Sequence, residues 1–179
     1  MLARNIEIKA RLAGIPELLP KVAALASGGP EEIDQDDTFF RCADGRLKLR
    51  TFADDRGELI FYRRADRQGP KESFYVISPT AAPGALRRLL ALSNGEVGRV
   101  VKHRTVYLVG RTRVHLDRVE GLGDFLELEV VLRDDEDAAS GVAEARALMD
   151  GLGVQADQLV EGAYVDLLAV RAAREGEQA

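Results

Sequence analysis

Asn5-Ile6-Glu7-Ile8-Lys9-Ala10-Arg11 places Glu7, Lys9 and Arg11 in alternation with Ile6, Ile8 and Ala10. Successive side chains of a strand point to opposite faces, so this stretch predicts a β-strand with one charged and one apolar face. The inversion recurs along the chain. Arg46, Lys48 and Arg50 alternate with Leu47 and Leu49; Arg111, Arg113, His115 and Asp117 with Thr112, Val114 and Leu116; and Glu127 and Glu129 sit between Leu126, Leu128 and Val130. One such strand is ordinary, because an antiparallel sheet often shows water its polar face. Several of them, mixing stacked cations with paired carboxylates, point to a sheet curled around a polar interior that holds a small, highly charged ligand and a metal.

The rest of the sequence supplies the cover. Strands are expected over residues 4–12, 35–40, 46–52, 59–64, 72–77, 97–108, 112–117 and 125–132, joined by turns such as Asp44-Gly45 and Asp54-Asp55-Arg56-Gly57. A helix opens at Gly14-Ile15-Pro16 and closes at Gly28-Gly29, and a second spans residues 83–92. Residues 135–173 read as helical, with one stripe of Val142, Ala145, Leu148 and Met149 and another of Leu159, Ala163, Leu167 and Val170. Residues 174–179 read as a frayed tail. Because the outer faces of the strands are apolar, the helices must cover them. The expected fold is α+β: about eight mostly antiparallel strands in a barrel, polar inside and wrapped by helices, within a single domain of 179 residues. An open two-layer sheet with its charged face in water is the alternative.

Composition narrows the function. No apolar run approaches the roughly 20 residues that cross a bilayer, and the N-terminus lacks a signal-peptide stretch, so a cytoplasmic location and no membrane partner are expected. A net charge of −5 argues against nucleic-acid binding. Acids crowd the expected loops at residues 31–37 and 134–137, outside a basic interior. With two His and one Cys, a zinc site is not expected. A metal should be a hard one held by carboxylates, Mg²⁺ or Mn²⁺. Oligomeric state is not legible, and a homodimer is the default.

Glu7, Glu127, Glu129 and Asp117 all fall on polar strand faces and form the candidate metal set. The candidate phosphate-binding set is Lys9, Arg11, Lys48, Arg50, Arg63, Lys102, Arg104, Arg111 and Arg113, since Arg grips phosphate oxygens in a fork and Lys acts as a point charge. So many cations repel one another unless an anion such as a triphosphate joins them. His115 shares the Arg113/Asp117 face and reads as structural or as support to a metal ligand. His103 falls on the apolar face and reads as structural.

These residues resemble a known family. Asn5-Ile6-Glu7-Ile8-Lys9-Ala10-Arg11 is similar to the N-terminal E-x-E-x-K signature of CYTH domains, the triphosphate tunnel metalloenzymes. The likeness continues through Asp37-Thr38-Phe39-Phe40, Gly45-Arg46-Leu47-Lys48-Leu49-Arg50, Leu59-Ile60-Phe61-Tyr62-Arg63-Arg64 and Lys102-His103-Arg104. It is densest from His115 to Glu129, and Tyr164-Val165-Asp166-Leu167-Leu168 resembles the end of class IV adenylyl cyclase-like members. The resemblance implies an eight-stranded antiparallel tunnel that binds a triphosphate with a divalent metal. It marks Glu7, Glu127 and Glu129 as metal ligands with Asp117 close by. It marks Lys9, Arg50, Arg63, Lys102 and Arg104 as the phosphate wall, joined by Lys48 and Arg113. Two positions depart from the pattern: Asn5 replaces the first signature Glu, and Arg63 stands where Lys is usual.

Three functions follow as expectations. The first is a cyclase converting ATP to cyclic AMP and pyrophosphate, with Asp117, Lys102 and Arg104 as catalytic residues. The second is a triphosphatase acting on tripolyphosphate, thiamine triphosphate or a nucleotide. The third is a module that binds a polyphosphate or phosphorylated ligand without turnover.

Overall fold

The structure, a computed structural model, describes residues 2–66 and 68–177. Among them run β1 (Leu2–Arg11), α1 (Ile15–Leu25), β2 (Gly28–Phe40), β3 (Arg46–Thr51), β4 (Gly57–Arg64), β5 (Lys71–Thr80) and α2 (Pro83–Ser93). They continue with β6 (Glu96–Val109), β7 (Thr112–Val119), β8 (Gly123–Val131), α3 (Ala138–Leu152), a 3₁₀ turn (Ala156–Gln158) and α4 (Tyr164–Gly176). The strands close into a barrel in the order β1-β5-β4-β3-β2-β6-β7-β8, each antiparallel to its neighbours. This is the expected α+β barrel, and no helix among the described residues is long and apolar enough to cross a membrane.

The alternation that opens the chain fixes where the core sits. Ile6, Ile8 and Ala10 of β1, Val114 and Leu116 of β7, and Leu126, Leu128 and Val130 of β8 are fully buried on the outer face of the barrel. Leu18 and Val22 of α1 and Ala145 and Leu152 of α3 join them in one cluster. Each Leu or Ile sealed there contributes about 1.5–3 kcal/mol, so the helices secure the wall that carries the charged interior. Helix and wall approach closely at Gly141, where a Cβ would lie 2.7 Å from Ile6 and from Leu132. α2 covers β2 and β3 through Leu90 on Phe40 and Leu49. α4 lies across one end of the barrel, where Ala163, Tyr164 and Val165 pack on Phe39, Val100, Val119 and Phe125.

Three sequence expectations change. Residues 31–37, expected as an acidic loop, belong to β2 and pair with β6. Their acids are tolerated because alternate ones find cations across the strand: Arg99 on Asp36 at 2.6–2.7 Å, and His103 on Asp34 and Glu32 at 2.8 Å. His103 is therefore paired on an exposed outer face rather than packed among apolar groups. The helical stripe expected from Leu159 begins later, at Tyr164. Leu159 instead bridges to Ala10 as extended chain, and Gly162, in the left-handed region at φ 78°, turns the backbone into α4. Finally, the expected frayed tail stays helical to Gly176, while residues 178–179 lie outside the described residues.

Candidate functional site in the barrel interior

The inner faces of all eight strands enclose a cavity of about 370 Å³. Register decides which charges meet. On the β1–β8 seam Glu7 lies opposite Glu129, and Lys9 opposite Glu127. On β7–β8, Arg113 faces Glu129 and His115 faces Glu127. Around the barrel, Asp37 of β2 faces Arg50 of β3, and Lys102 and Arg104 line the inner face of β6. Glu7, Glu127 and Glu129 thus gather on β1 and β8, while Lys48, Arg50, Lys102 and Arg104 lie on β3 and β6.

The cavity differs at its two ends. Tyr164 lies at the α4 end, its ring 3.9 Å from Lys9 Nζ and 5.0 Å from Lys102 Nζ. The opposite mouth is lined by Glu31, Ile33, Phe52, Glu58, Ile77 and Val106, a mainly apolar rim with two acids.

Electrostatics hold the deep end rigid. Asp117, fully buried, accepts hydrogen bonds from Arg104 Nε and Nη2 (both 2.6 Å), from Lys102 Nζ (3.1 Å) and from the Tyr164 hydroxyl (2.9 Å). Burial opposes its charge, but Arg104 and Lys102 outweigh burial and hold its carboxyl well below the usual range. Arg104 Nη2 also donates to Glu127 Oε2 at 2.5 Å. Burial likewise works against the Glu127 charge, and Lys9 and Arg104 overcome it, so this carboxyl too is strongly depressed. Asp37 is anchored by Lys48 (2.6 Å) and by both forks of Arg50 (2.8 and 3.0 Å). Burial, reinforced by Arg104, brings the Lys102 ammonium down to about 7.

The structure brings most of the sequence-predicted residues together. Glu7, Glu127 and Glu129 line the cavity, as do Lys9, Lys48, Arg50, Lys102, Arg104 and Arg113. Four predicted residues stand elsewhere or are otherwise engaged. Arg63 points out of the barrel to Asp44 (2.8 Å) and is exposed; its neighbour Arg64 takes the interior place, donating to Glu7 and, at 2.6 Å, to the Gly162 carbonyl. Arg11 shares the inner parity but sits at the last rung of the barrel, exposed, with its guanidinium on the Leu122 carbonyl and over the Phe125 ring. Arg111 lies at the β6–β7 turn and pairs with Glu136 and Glu144. Asp117 lies outside the cavity lining, with its oxygens accepting from Arg104, Lys102 and Tyr164.

Sequence reading missed Lys71, which is fully buried opposite Glu7 on β5, its ammonium lowered to about 8 by burial and by Arg64. It also missed Tyr164, which only the fold returns to the cavity.

A divalent metal fits the carboxylate wall. His115, Glu127 and Glu129 present donor atoms that all lie within 4.8 Å of one another. Four buried side-chain polar atoms among the described residues have no hydrogen-bond partner, and two of them, His115 Nδ1 and Asn5 Oδ1, belong to this wall. Burial and Arg104 lower the His115 pKa, which keeps the ring neutral and its lone pair available. Glu7 is bound by Arg64, as Glu127 is by Arg104 and Glu129 by Arg113.

Comparison with known proteins agrees with this architecture. The chain is 28% identical over 172 residues to the adenylate cyclase CyaB of Aeromonas hydrophila, covering 89% of this chain and 86% of that one. The fold is similar to that of the PH1012 protein of Pyrococcus horikoshii (TM-score 0.80, 22% identity, 91% of this chain and 98% of that chain). It is also similar to that of an adenylyl cyclase candidate from Hippeastrum with a dominant triphosphatase activity (TM-score 0.62, 18% identity, 94% and 96%). The model of the CYTH domain matches residues 3–164, and with that match, spanning the whole barrel, the chain belongs to the CYTH domain family.

Proposed function

We propose that this protein is a divalent-metal-dependent enzyme that cleaves a triphosphate, acting as a class IV type adenylyl cyclase on ATP. The observation that carries this reading is that one cavity is lined by both charge sets: Glu127 and Glu129 on β8, and Lys48, Arg50, Lys102 and Arg104 on β3 and β6. A polyphosphate with a metal on one flank matches that division. The apolar mouth at Ile33, Phe52 and Ile77 suits an organic group, which leaves the phosphates to run inward toward Lys9, Arg64 and Lys102.

Glu127 and Glu129 would hold the ion, which supplies Lewis-acid polarisation of phosphoryl oxygens. The protein's own cations carry the remaining work. In cyclisation the ribose 3′-oxygen bonds to the α-phosphorus as the bond to the bridging oxygen breaks; the hydroxyl proton passes through solvent to the pyrophosphate, which leaves against the Lys and Arg wall. Arg104 and Lys102 are already oriented by Asp117, so no reorganisation is needed as charge develops. Arg50 and Lys48 are paired with Asp37 in the free protein, so phosphate binding shares them rather than ordering them anew.

A second reading, hydrolysis of the terminal phosphate, is favoured by Lys102. With its pKa brought to about 7, this amine at the deep end can take a proton from an attacking water.

Either way, binding changes protonation. At pH 8 Lys102 is mostly neutral in the free protein. A polyanion beside it favours the ammonium and raises its pKa, so tripolyphosphate binding takes up protons at pH 8 and far fewer at pH 6. Calorimetric titration in buffers of different ionisation enthalpy reads this uptake, which Lys102→Met should reduce. Binding without proton linkage at pH 8 would place the phosphates away from Lys102.

A further inference from the structure

The metal-dependent reading leaves open which atoms ligate the ion and which ion they suit. All four carboxylates expected at the site meet cations: Glu7 meets Arg64, Asp117 meets Arg104 and Lys102, Glu127 meets Arg104 and Lys9, and Glu129 meets Arg113. Asn5 stands where a further carboxylate is usual. Glu127 and Glu129 are the two that also cluster with an imidazole, that of His115, which is 4% exposed. Its Nδ1 has no hydrogen-bond partner and sits 3.7 Å from Glu127 Oε2 and 4.0 Å from Glu129 Oε1.

Those separations are too long for hydrogen bonds. They are, however, the span of donors that share an ion: with bonds of about 2.1 Å, octahedral neighbours lie about 3.0 Å apart and opposite ligands about 4.2 Å. A buried ring nitrogen left without a partner is unfavourable, and a metal bond removes that penalty. The β7–β8 register enforces the arrangement, because His115 is directly opposite Glu127 and Glu129 is two residues further on the same face.

We infer that His115 Nδ1 is a metal ligand beside Glu127 and Glu129, and that this mixed nitrogen and oxygen set takes a first-row transition ion such as Mn²⁺ in preference to Mg²⁺. Mg²⁺ holds tightly to oxygen and water, whereas imidazole bonds better to transition ions. The inference rests on the metal-dependent function proposed above.

The probe is Mn²⁺ alone, titrated into the intact protein and followed by electron paramagnetic resonance. The bound ion should show nitrogen spin-echo modulation from an imidazole, and Mg²⁺ should displace it only at about tenfold excess or more. The chain has two histidines, so two variants assign the nitrogen. His103→Gln should keep the modulation. His115→Gln should lose it and bind Mn²⁺ at least about tenfold more weakly, the loss seen when even an outer partner of a metal ligand is removed. Should that variant fail to fold, the wild-type and His103→Gln spectra still decide. Mn²⁺ bound without imidazole modulation, or modulation that survives His115→Gln, overturns the role of His115 and leaves the metal-dependent function standing. Displacement of Mn²⁺ by equal Mg²⁺ overturns the preference. Absence of Mn²⁺ binding overturns both this inference and the reading on which it rests.

Discussion

Glu129→Gln is expected to lower metal-dependent turnover about a thousandfold, the several kcal/mol that a catalytic ion supplies. The fold should be nearly unaffected. Glu129 is the least enclosed of the interior carboxylates, and its ionic partner Arg113 also contacts the Tyr75 hydroxyl, so a neutral amide leaves no sealed, unpaired cation behind. Thermal unfolding and steady-state rates on one preparation separate the two effects. Turnover within about threefold of wild type would remove Glu129 from the metal site.

Asp117→Ala should do the opposite, acting first on stability. The substitution strips the common acceptor from Arg104, Lys102 and Tyr164 inside a wall where Asp117 itself is fully buried. Removing one side of a buried charge network costs about 3–5 kcal/mol, equivalent to a fall in Tm of roughly 6–20 °C for a chain of this size. Lys102 can relieve part of the strain by giving up its proton, but Arg104 cannot. The sign with pH follows from the depressed Asp117 carboxyl. Its stabilisation is complete above its unfolded pKa, near 4, and disappears as pH falls through the folded value. The wild-type and variant melting curves should therefore converge in acid. A loss below about 1 kcal/mol at pH 7 would mean that Asp117 is not the hub of the deep wall.

Much of this was legible in the first strand. Alternation of Glu7 and Lys9 with Ile6 and Ile8 gives the inverted barrel, and the same parity brings Glu127, Glu129, Lys48 and Arg50 inside. Where both faces of a strand are apolar, parity says nothing. In β4, Leu59 and Phe61 point out while Ile60 and Tyr62 point in, so the sequence does not reveal that Arg64 rather than Arg63 enters the cavity. Arg11 shows another limit: its parity is correct, yet it is paired with Phe125 at the last rung and meets solvent. Lys71 follows Gly69-Pro70, which reads as a turn, and only pairing with β1 shows it buried beside Glu7. The engagement of Asp117 depends on Tyr164, 47 residues away, and on how α4 crosses the barrel end.

The most direct test of the central claim is phosphorus NMR of the pure protein incubated with ATP, and separately with tripolyphosphate, in the presence of Mn²⁺ or Mg²⁺. The account predicts cyclic AMP and pyrophosphate from ATP, abolished by chelation of the metal. Orthophosphate without cyclic nucleotide would replace the cyclase with the triphosphatase reading while keeping the metal and the cationic tunnel in their roles. No turnover of either compound would contradict the account and make the charged barrel a binding site alone.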